Sequence, residues 1–234
     1  MTLPRPLTVT GITGLAGDGK DTVADLLRTH CGARTLAFAD ALRQEIVDAF
    51  CIEELLLTRR ATKELPLPAL ALNNCTDRAF VDRMVVHYMA GAIDGGVEGE
   101  RISLTAPRSP RQIMQWWGTE YRRSQNDAYW VSHAHQHMQW LSKSQHADLV
   151  VLSDVRFVNE ANLVRRWGGQ IWQIKRPGLG LAHGAHASEV TGDHYAPDAV
   201  IVNAHDSRHL QAQVLSVWAA RALKVPGLTV QVPA

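Results

Sequence analysis

The 234-residue chain has almost no surplus of charge: 24 Lys and Arg face 23 Asp and Glu, a formal net charge of +1. A protein that works chiefly by gripping a nucleic-acid backbone carries a clear basic excess, so nucleic acid is not the expected partner. Cysteine is also scarce. Cys31, Cys51 and Cys75 form no Cys-x-x-Cys pair, which argues against a zinc site of that kind. Their odd number and loose spacing suit reduced thiols in a cytoplasm better than a disulfide framework. No apolar run approaches the ~18 residues of a membrane span. Met1–Leu7 lacks the basic-then-apolar order of a signal peptide. The expectation is a soluble, cytoplasmic protein without a membrane partner. Lysine is rare as well; most of the basic residues are arginine, the side chain best shaped for bidentate phosphate recognition.

What is present is enough for a core. Hydrophobic residues make up 46% and charged residues 20% of the chain, which fits one large domain or a domain with an inserted subdomain. Residues 7–13 are β-branched and apolar, a buried strand, and a glycine-rich turn leads into a helix over 22–30. A short strand at 35–39 and a helix at 40–50 complete a βαβ unit. Residues 148–154 form the most apolar strand. A helix at 158–167, strands at 170–175 and 199–202, and a closing helix at 207–223 follow. Alternating strands and helices predict a three-layer α/β fold with a mainly parallel sheet. The stretch 65–107, with its Leu-Pro-Leu-Pro start and glycine-rich end, reads as an inserted helical subdomain carrying a helix at 75–93. Ser109-Pro110 opens another helix through Trp117, and a further one spans 127–143.

Gly14-Leu15-Ala16-Gly17-Asp18-Gly19-Lys20 matches Gly-x-x-x-x-Gly-Lys, the phosphate loop. Chance alone would produce that pattern about 0.03 times in a chain of this composition. The strand before it and helix after it strengthen the reading. Glycines let successive backbone N–H groups hold phosphate oxygens at a helix N-terminus, and the lysine reaches the terminal phosphates. Asp21 stands where the general pattern has Ser or Thr, with Thr22 after it, so Thr22 becomes the candidate Mg²⁺ contact. Asp154, ending the most apolar strand, is the candidate second acid of such a site, holding Mg²⁺ through water; a helix cap is its plainer role.

Further motifs come in order. They are Phe38-Ala-Asp-Ala-Leu-Arg43, Pro110-Arg111, Gln115-x-x-Gly-Thr-Glu-x-x-Arg123 and Asp154-Val-Arg-Phe-x-Asn-Glu160, then Lys175-Arg-Pro177, His186-Ala-Ser-Glu189 and Asn203. With the glycine loop, over residues 8–50 and 108–205, they resemble the deoxynucleoside monophosphate kinase family of tailed phages and their prophage relatives. The resemblance implies transfer of the ATP γ-phosphoryl group to a deoxynucleoside 5′-monophosphate with Mg²⁺. It implies nucleotide binding by Gly14 to Thr22, and catalysis by Lys20, Asp154, Arg156 and Arg176, the last at the start of a lid-like loop over 176–188. Asp40, Arg43, Arg111, Glu120, Arg123 and Arg156 would hold the acceptor. A homodimer would suit the family, and the apolar stretch 65–72 is a candidate face.

Each candidate has a plainer counterpart. Arg111 and Arg123 can be solvated helix residues, Asp40 a helix cap, and Glu120 a structural partner of Arg123. Adjacent tryptophans on a helix face different ways, so one of Trp116 and Trp117 is expected in the core. His133 and His137, one turn apart, lack a third ligand and read as a solvated face. Two other functions stay open: a different small-molecule kinase resembling dephospho-coenzyme A kinase, and an ATP-binding regulatory module without turnover.

Overall fold

The structure is a computed structural model; it describes residues 7–59, 61–93, 98–144, 147–178 and 195–222. The expected lid over 176–188 lies outside these beyond residue 178, as do His183, His186 and His194. Contacts divide the chain into two compact units, Met1–Phe38 with His133–Ala234, and Ala39–Ser132.

The first unit is built on five parallel strands: β1 (Thr8–Thr13), β2 (Arg34–Leu36), β3 (Leu149–Leu152), β4 (Gln170–Lys175) and β5 (Ala199–Val202). Their order across the sheet is β2-β3-β1-β4-β5. Thr10 stands opposite Val151 on one side and Gln170 on the other, so the chain's first strand lies at the centre. β3 is buried along its whole length, as its unbroken apolar run predicts.

Helices cover both faces. Alternate residues of a strand point to opposite sides. Ile12, Val151, Trp172, Ile174 and Ile201 form one core with Val23 and Leu27 of α1 (Lys20–Cys31) and with Leu210, Val214 and Val217 of the closing helix, Ser207–Ala222. On the opposite side, Gly11 lies so close to Val155 and Val164 that a Cβ there would stand 2.8 Å from a Val164 methyl. Val164 belongs to the helix Val158–Arg166. The architecture is therefore the three-layer α/β arrangement expected from the sequence. Parallel strands also place all their carboxyl ends on one edge. Gly14, Ser153-Asp154, Arg176 and Asn203 directly follow the ends of β1, β3, β4 and β5 there, and β1 is the strand at which the order reverses.

The second unit holds most of α2 (Phe38–Phe50), then α3 (Leu55–Thr58), two 3₁₀ turns at Pro68–Leu70 and Leu72–Asn74, α4 (Arg78–Met89) and α5 (Pro110–Gln115). A π-helix over Trp116–Arg123 continues α5, and α6 (Tyr129–Ser144) begins before the boundary. The helices Val158–Arg166 and Ser207–Ala222 become α7 and α8. Residues 65–107 do not stand apart from this unit. Thr76 N–H donates to the Ala49 carbonyl, and Phe80 packs against Phe50, Trp117 and Tyr121. Helix α4 is shorter than the predicted 75–93 because Asp77 caps it, accepting the Phe80 N–H at 3.0 Å.

One expectation needs correction. Trp116 and Trp117 are both buried, at 2% and 1% exposure, where one was expected. The second unit packs on both: Phe50, Phe80 and Tyr121 surround Trp117, while the Arg108 guanidinium covers Trp116 at 5.4 Å. In the apolar stretch 65–72, Leu70, Ala71 and Leu72 turn inward, while Leu65, Pro66, Pro68 and Ala69 are exposed. Among the described residues no helix is long and apolar enough to cross a membrane.

Candidate active site

The glycine loop connects β1 to α1 by a backbone that only glycine adopts easily. Gly14, Gly17 and Gly19 have φ of 148°, 90° and 102°. Two of them are also sterically required. A Cβ on Gly14 would lie 2.5 Å from the Ile174 carbonyl oxygen, and one on Gly19 would lie 2.6 Å from Asn203 Nδ2. The loop thus sits flat against the ends of β4 and β5. Lys20, the first residue of α1, turns its Nζ back over the loop and donates to the carbonyls of Gly14 at 2.8 Å and Leu15 at 2.7 Å.

Around this ammonium the charges alternate. Burial lowers the Lys20 pKa below its usual 10.5, and the neighbouring Arg156 lowers it further; Asp21, Asp18 and Asp154 oppose both. Lys20 of the glycine loop and Asp154 and Arg156 of the Asp-Val-Arg-Phe motif therefore come together within one electrostatic neighbourhood at the strand ends. Asp154 also accepts the Phe38 N–H at 2.8 Å.

The Asp-Val-Arg-Phe-x-Asn-Glu motif has a visible local logic. The Glu160 side chain, 2% exposed, accepts the N–H groups of Arg156 at 2.8 Å and Phe157 at 3.2 Å. It closes the turn between β3 and α7 and sets where Arg156 leaves the backbone, while the Arg156 side chain is exposed. Glu160 was visible as part of the motif, but nothing in the sequence distinguished holding the turn from touching a ligand.

Asp18 differs from the other loop residues. Its carboxylate is buried and faces back, accepting Leu15 N–H at 2.6 Å and Arg176 N–H at 3.2 Å. Asn203 donates from Nδ2 to the Asp18 carbonyl at 2.9 Å. Tyr195 is a third contact without a sequence signal: its hydroxyl lies 2.9 Å from Thr13 Oγ1 and 3.1 Å from the Val155 carbonyl. Thr22 and Asp21 are exposed on the first turn of α1. The Arg176 side chain is also exposed.

Apart from Arg156, which belongs to the first unit, the predicted acceptor residues lie in the second unit, and each is engaged there. Arg43 pairs with both Asp40 and Glu54, Arg111 with Glu64, and Arg123 with Asp127 at 3.4 Å. Asp40 thus has an ion-pair partner in its own helical turn. Glu120 stands in the π-helix, where its carbonyl accepts from Arg83 Nε at 3.0 Å. The residues that organise this unit are others. Glu45 accepts from Trp117 Nε1 at 2.7 Å, Arg122 Nε at 2.8 Å and the Tyr129 hydroxyl at 2.5 Å. Arg122 lies 4.4 Å from the Tyr121 ring centroid and 5.1 Å from that of Tyr129. His133 and His137 are exposed, and no group of three or more metal-ligating side chains forms among the described residues.

The family model described as deoxynucleotide monophosphate kinase matches residues 69–214. The chain belongs to the deoxynucleotide monophosphate kinase family. A protein of Acanthamoeba polyphaga mimivirus, provisionally named for the same activity, is 27% identical over 221 residues, covering 90% of this chain and 95% of its own. Among solved structures, TT1252 from Thermus thermophilus is 17% identical with a TM-score of 0.45, covering 92% of this chain and 97% of its own. A dephospho-CoA kinase from Campylobacter jejuni is 13% identical with a TM-score of 0.43, covering 90% and 95%. The resemblance read from the motifs and the family match agree on a nucleotide kinase.

Proposed function

We propose that this kinase transfers the γ-phosphoryl group of ATP to a deoxynucleoside 5′-monophosphate, giving ADP and the deoxynucleoside diphosphate. The observation that carries the reading is the cluster at the strand ends, where a glycine loop holding Lys20 shares one electrostatic field with Asp154 and Arg156. Phosphoryl transfer asks little covalent chemistry of a protein; it asks for phosphates held in line and for positive charge on the group in flight.

In this reading the backbone of Gly14 to Thr22 takes the donor phosphates. Lys20 leaves its two carbonyls for the outer phosphates, and Arg156 adds a second positive charge to the transferring group. Arg176 would contribute a third cation from the end of β4. Arg111 and Arg123, with Arg43, Asp40 and Glu120, are assigned to the acceptor. A guanidinium has five N–H groups in a planar fork that matches a phosphate. An acceptor phosphate oxygen attacks the γ-phosphorus, and the bond to the ADP oxygen breaks.

The residues present also fit Mg²⁺. This ion keeps most of its waters and needs only one or two carboxylates or hydroxyls beside the phosphates, and Thr22 and Asp154 can supply those without a dedicated cage. Bound there, Mg²⁺ would neutralise charge on the donor phosphates.

The test is ADP release with Mg·ATP across deoxynucleoside monophosphates, ribonucleoside monophosphates and dephospho-coenzyme A, with Lys20→Ala alongside. Turnover with deoxynucleoside monophosphates that Lys20→Ala abolishes is the expected result. Turnover confined to dephospho-coenzyme A, or ATP binding with no transfer to any acceptor, overturns it.

A further inference from the structure

The glycine loop carries an acid where its ligand would be an anion, and the geometry of that acid explains why it is tolerated. Asp18 is 3% exposed, and a buried carboxylate needs hydrogen-bond partners to offset lost hydration. Both its partners are backbone N–H groups. One belongs to Leu15, three residues earlier in the loop, and the other to Arg176, the first residue past β4. The carboxylate therefore faces the sheet side of the loop and joins the loop's beginning, its end and a neighbouring strand.

Asn203 holds the same residue from β5. It is 6% exposed, its Nδ2 donates to the Asp18 carbonyl, and its own N–H donates to the Lys175 carbonyl at 2.8 Å. The amide group also fills the space beneath Gly19, so the loop rests on it. A free loop of glycines would be costly to order when a ligand arrives, since glycine loses more conformational freedom than any other residue.

We propose that Asp18 and Asn203 are positioning residues that hold the phosphate loop in its nucleotide-receiving shape before nucleotide binds. The inference rests on the reading of that loop as the ATP site. Asp18 acts from behind, through backbone N–H groups. Its negative charge also favours the protonated form of Lys20.

The experiment measures ADP affinity by calorimetry, kcat and KM for ATP and for the acceptor, and hydrogen exchange of the loop amides, all on the full chain. Asp18→Ala is expected to weaken ADP about tenfold and raise KM for ATP by a similar factor. KM for the acceptor should not move. Asp18→Asn keeps one acceptor oxygen and should recover part of the loss. Asn203→Ala leaves the carboxylate in place and should weaken ADP in the same direction; it carries the test if Asp18→Ala does not fold. A role in fold stability alone would lower the melting temperature of the variants and leave ADP affinity intact, and that result overturns the proposal. Wild-type protein that binds no adenine nucleotide would instead sink the ATP reading. The clamp is then judged by the Leu15 amide: faster exchange in Asp18→Ala supports it, and unchanged exchange refutes it.

Discussion

Asp154 accepts the backbone N–H of Phe38 at 2.8 Å, so the acid that follows β3 holds the first residue of α2. The same carboxylate acts electrostatically on Lys20. One side chain thus binds a helix N-terminus and contributes to the field around Lys20, and the catalytic part proposed for it is open to test. The hydrogen bond to Phe38 fixes where the carboxylate stands.

The two roles separate by substitution. Asp154→Asn keeps an oxygen for the Phe38 N–H and removes the charge. Its melting temperature should stay near wild type while phosphoryl transfer falls by about 100-fold or more. Asp154→Ala loses both and should cost a further 1–2 kcal/mol or so of stability, the usual scale for a lost cap. Thermal melts beside steady-state kinetics distinguish them. Equal activity in Asp154→Asn and wild type would reduce Asp154 to a cap.

A pH profile follows from the Lys20 environment. Burial and Arg156 lower its pKa from 10.5, so the ammonium loses its proton earlier on the alkaline side than an ordinary lysine. ADP affinity should fall as pH rises, with the decline beginning below 10.5. Arg156→Gln removes one cause of the lowering and should move that decline to higher pH, even though it weakens transfer. Calorimetric titrations of ADP between pH 7 and 10.5 measure both. A decline at the same pH in the two proteins would exclude Arg156 as a neighbour of Lys20.

The sequence made the first unit's plan legible because that plan rests on local signals. Strands β4 and β5 fall on their predicted residues, 170–175 and 199–202, because apolar runs bounded by turn residues leave little choice. The glycine loop was visible because its conformation admits few other residues. The roles of Asp18, Asn203 and Tyr195 were not, since each depends on a partner brought near only by sheet order, such as Arg176 on Asp18. In the second unit the helical pattern was readable, yet nothing local in the sequence marks Glu45. Its three donors come from Trp117, Arg122 and Tyr129, more than 70 residues away.

Glu45 therefore makes a strong stability prediction. Glu45→Ala would take from a partly buried Arg122 its nearer carboxylate, leaving Asp77 at 3.9 Å, and would remove the acceptor that holds the Trp117 indole and the Tyr129 hydroxyl. Removing one member of such a network costs about 2–4 kcal/mol. Glu45→Gln keeps acceptor capacity and should cost less than half of that. Urea denaturation of the three proteins gives the comparison, and a Glu45→Ala penalty below about 1 kcal/mol would contradict the network.

Thiol chemistry should rank the cysteines. Burial pushes the Cys75 thiol up to about 11, and it is 1% exposed. Thiolate is the reactive form, so Cys75 should be nearly inert at pH 8 in folded protein. Cys51 is exposed and should label first. Mass spectrometry after alkylation at pH 8 reads the order, and Cys75 should label quickly only in denaturant.

Tyr195 ties residue 13, just before the glycine loop, to Val155, between Asp154 and Arg156. The Val155 carbonyl can only accept, so the phenol proton goes there and the Thr13 hydroxyl donates to the phenol oxygen. Burial, reinforced by Glu160, pushes the phenol up to about 12 from 10.0. A folded-state pKa above the unfolded one means the contribution is complete below pH 10 and is lost as pH rises towards 12. Tyr195→Phe removes both bonds and should cost about 1–3 kcal/mol, lowering the melting temperature by about 3–9 °C. The penalty should be constant from pH 7 to 9 and shrink above 10. A penalty that already falls between pH 7 and 9 would mean that the phenol ionises in its usual range and that the buried bonds are not made.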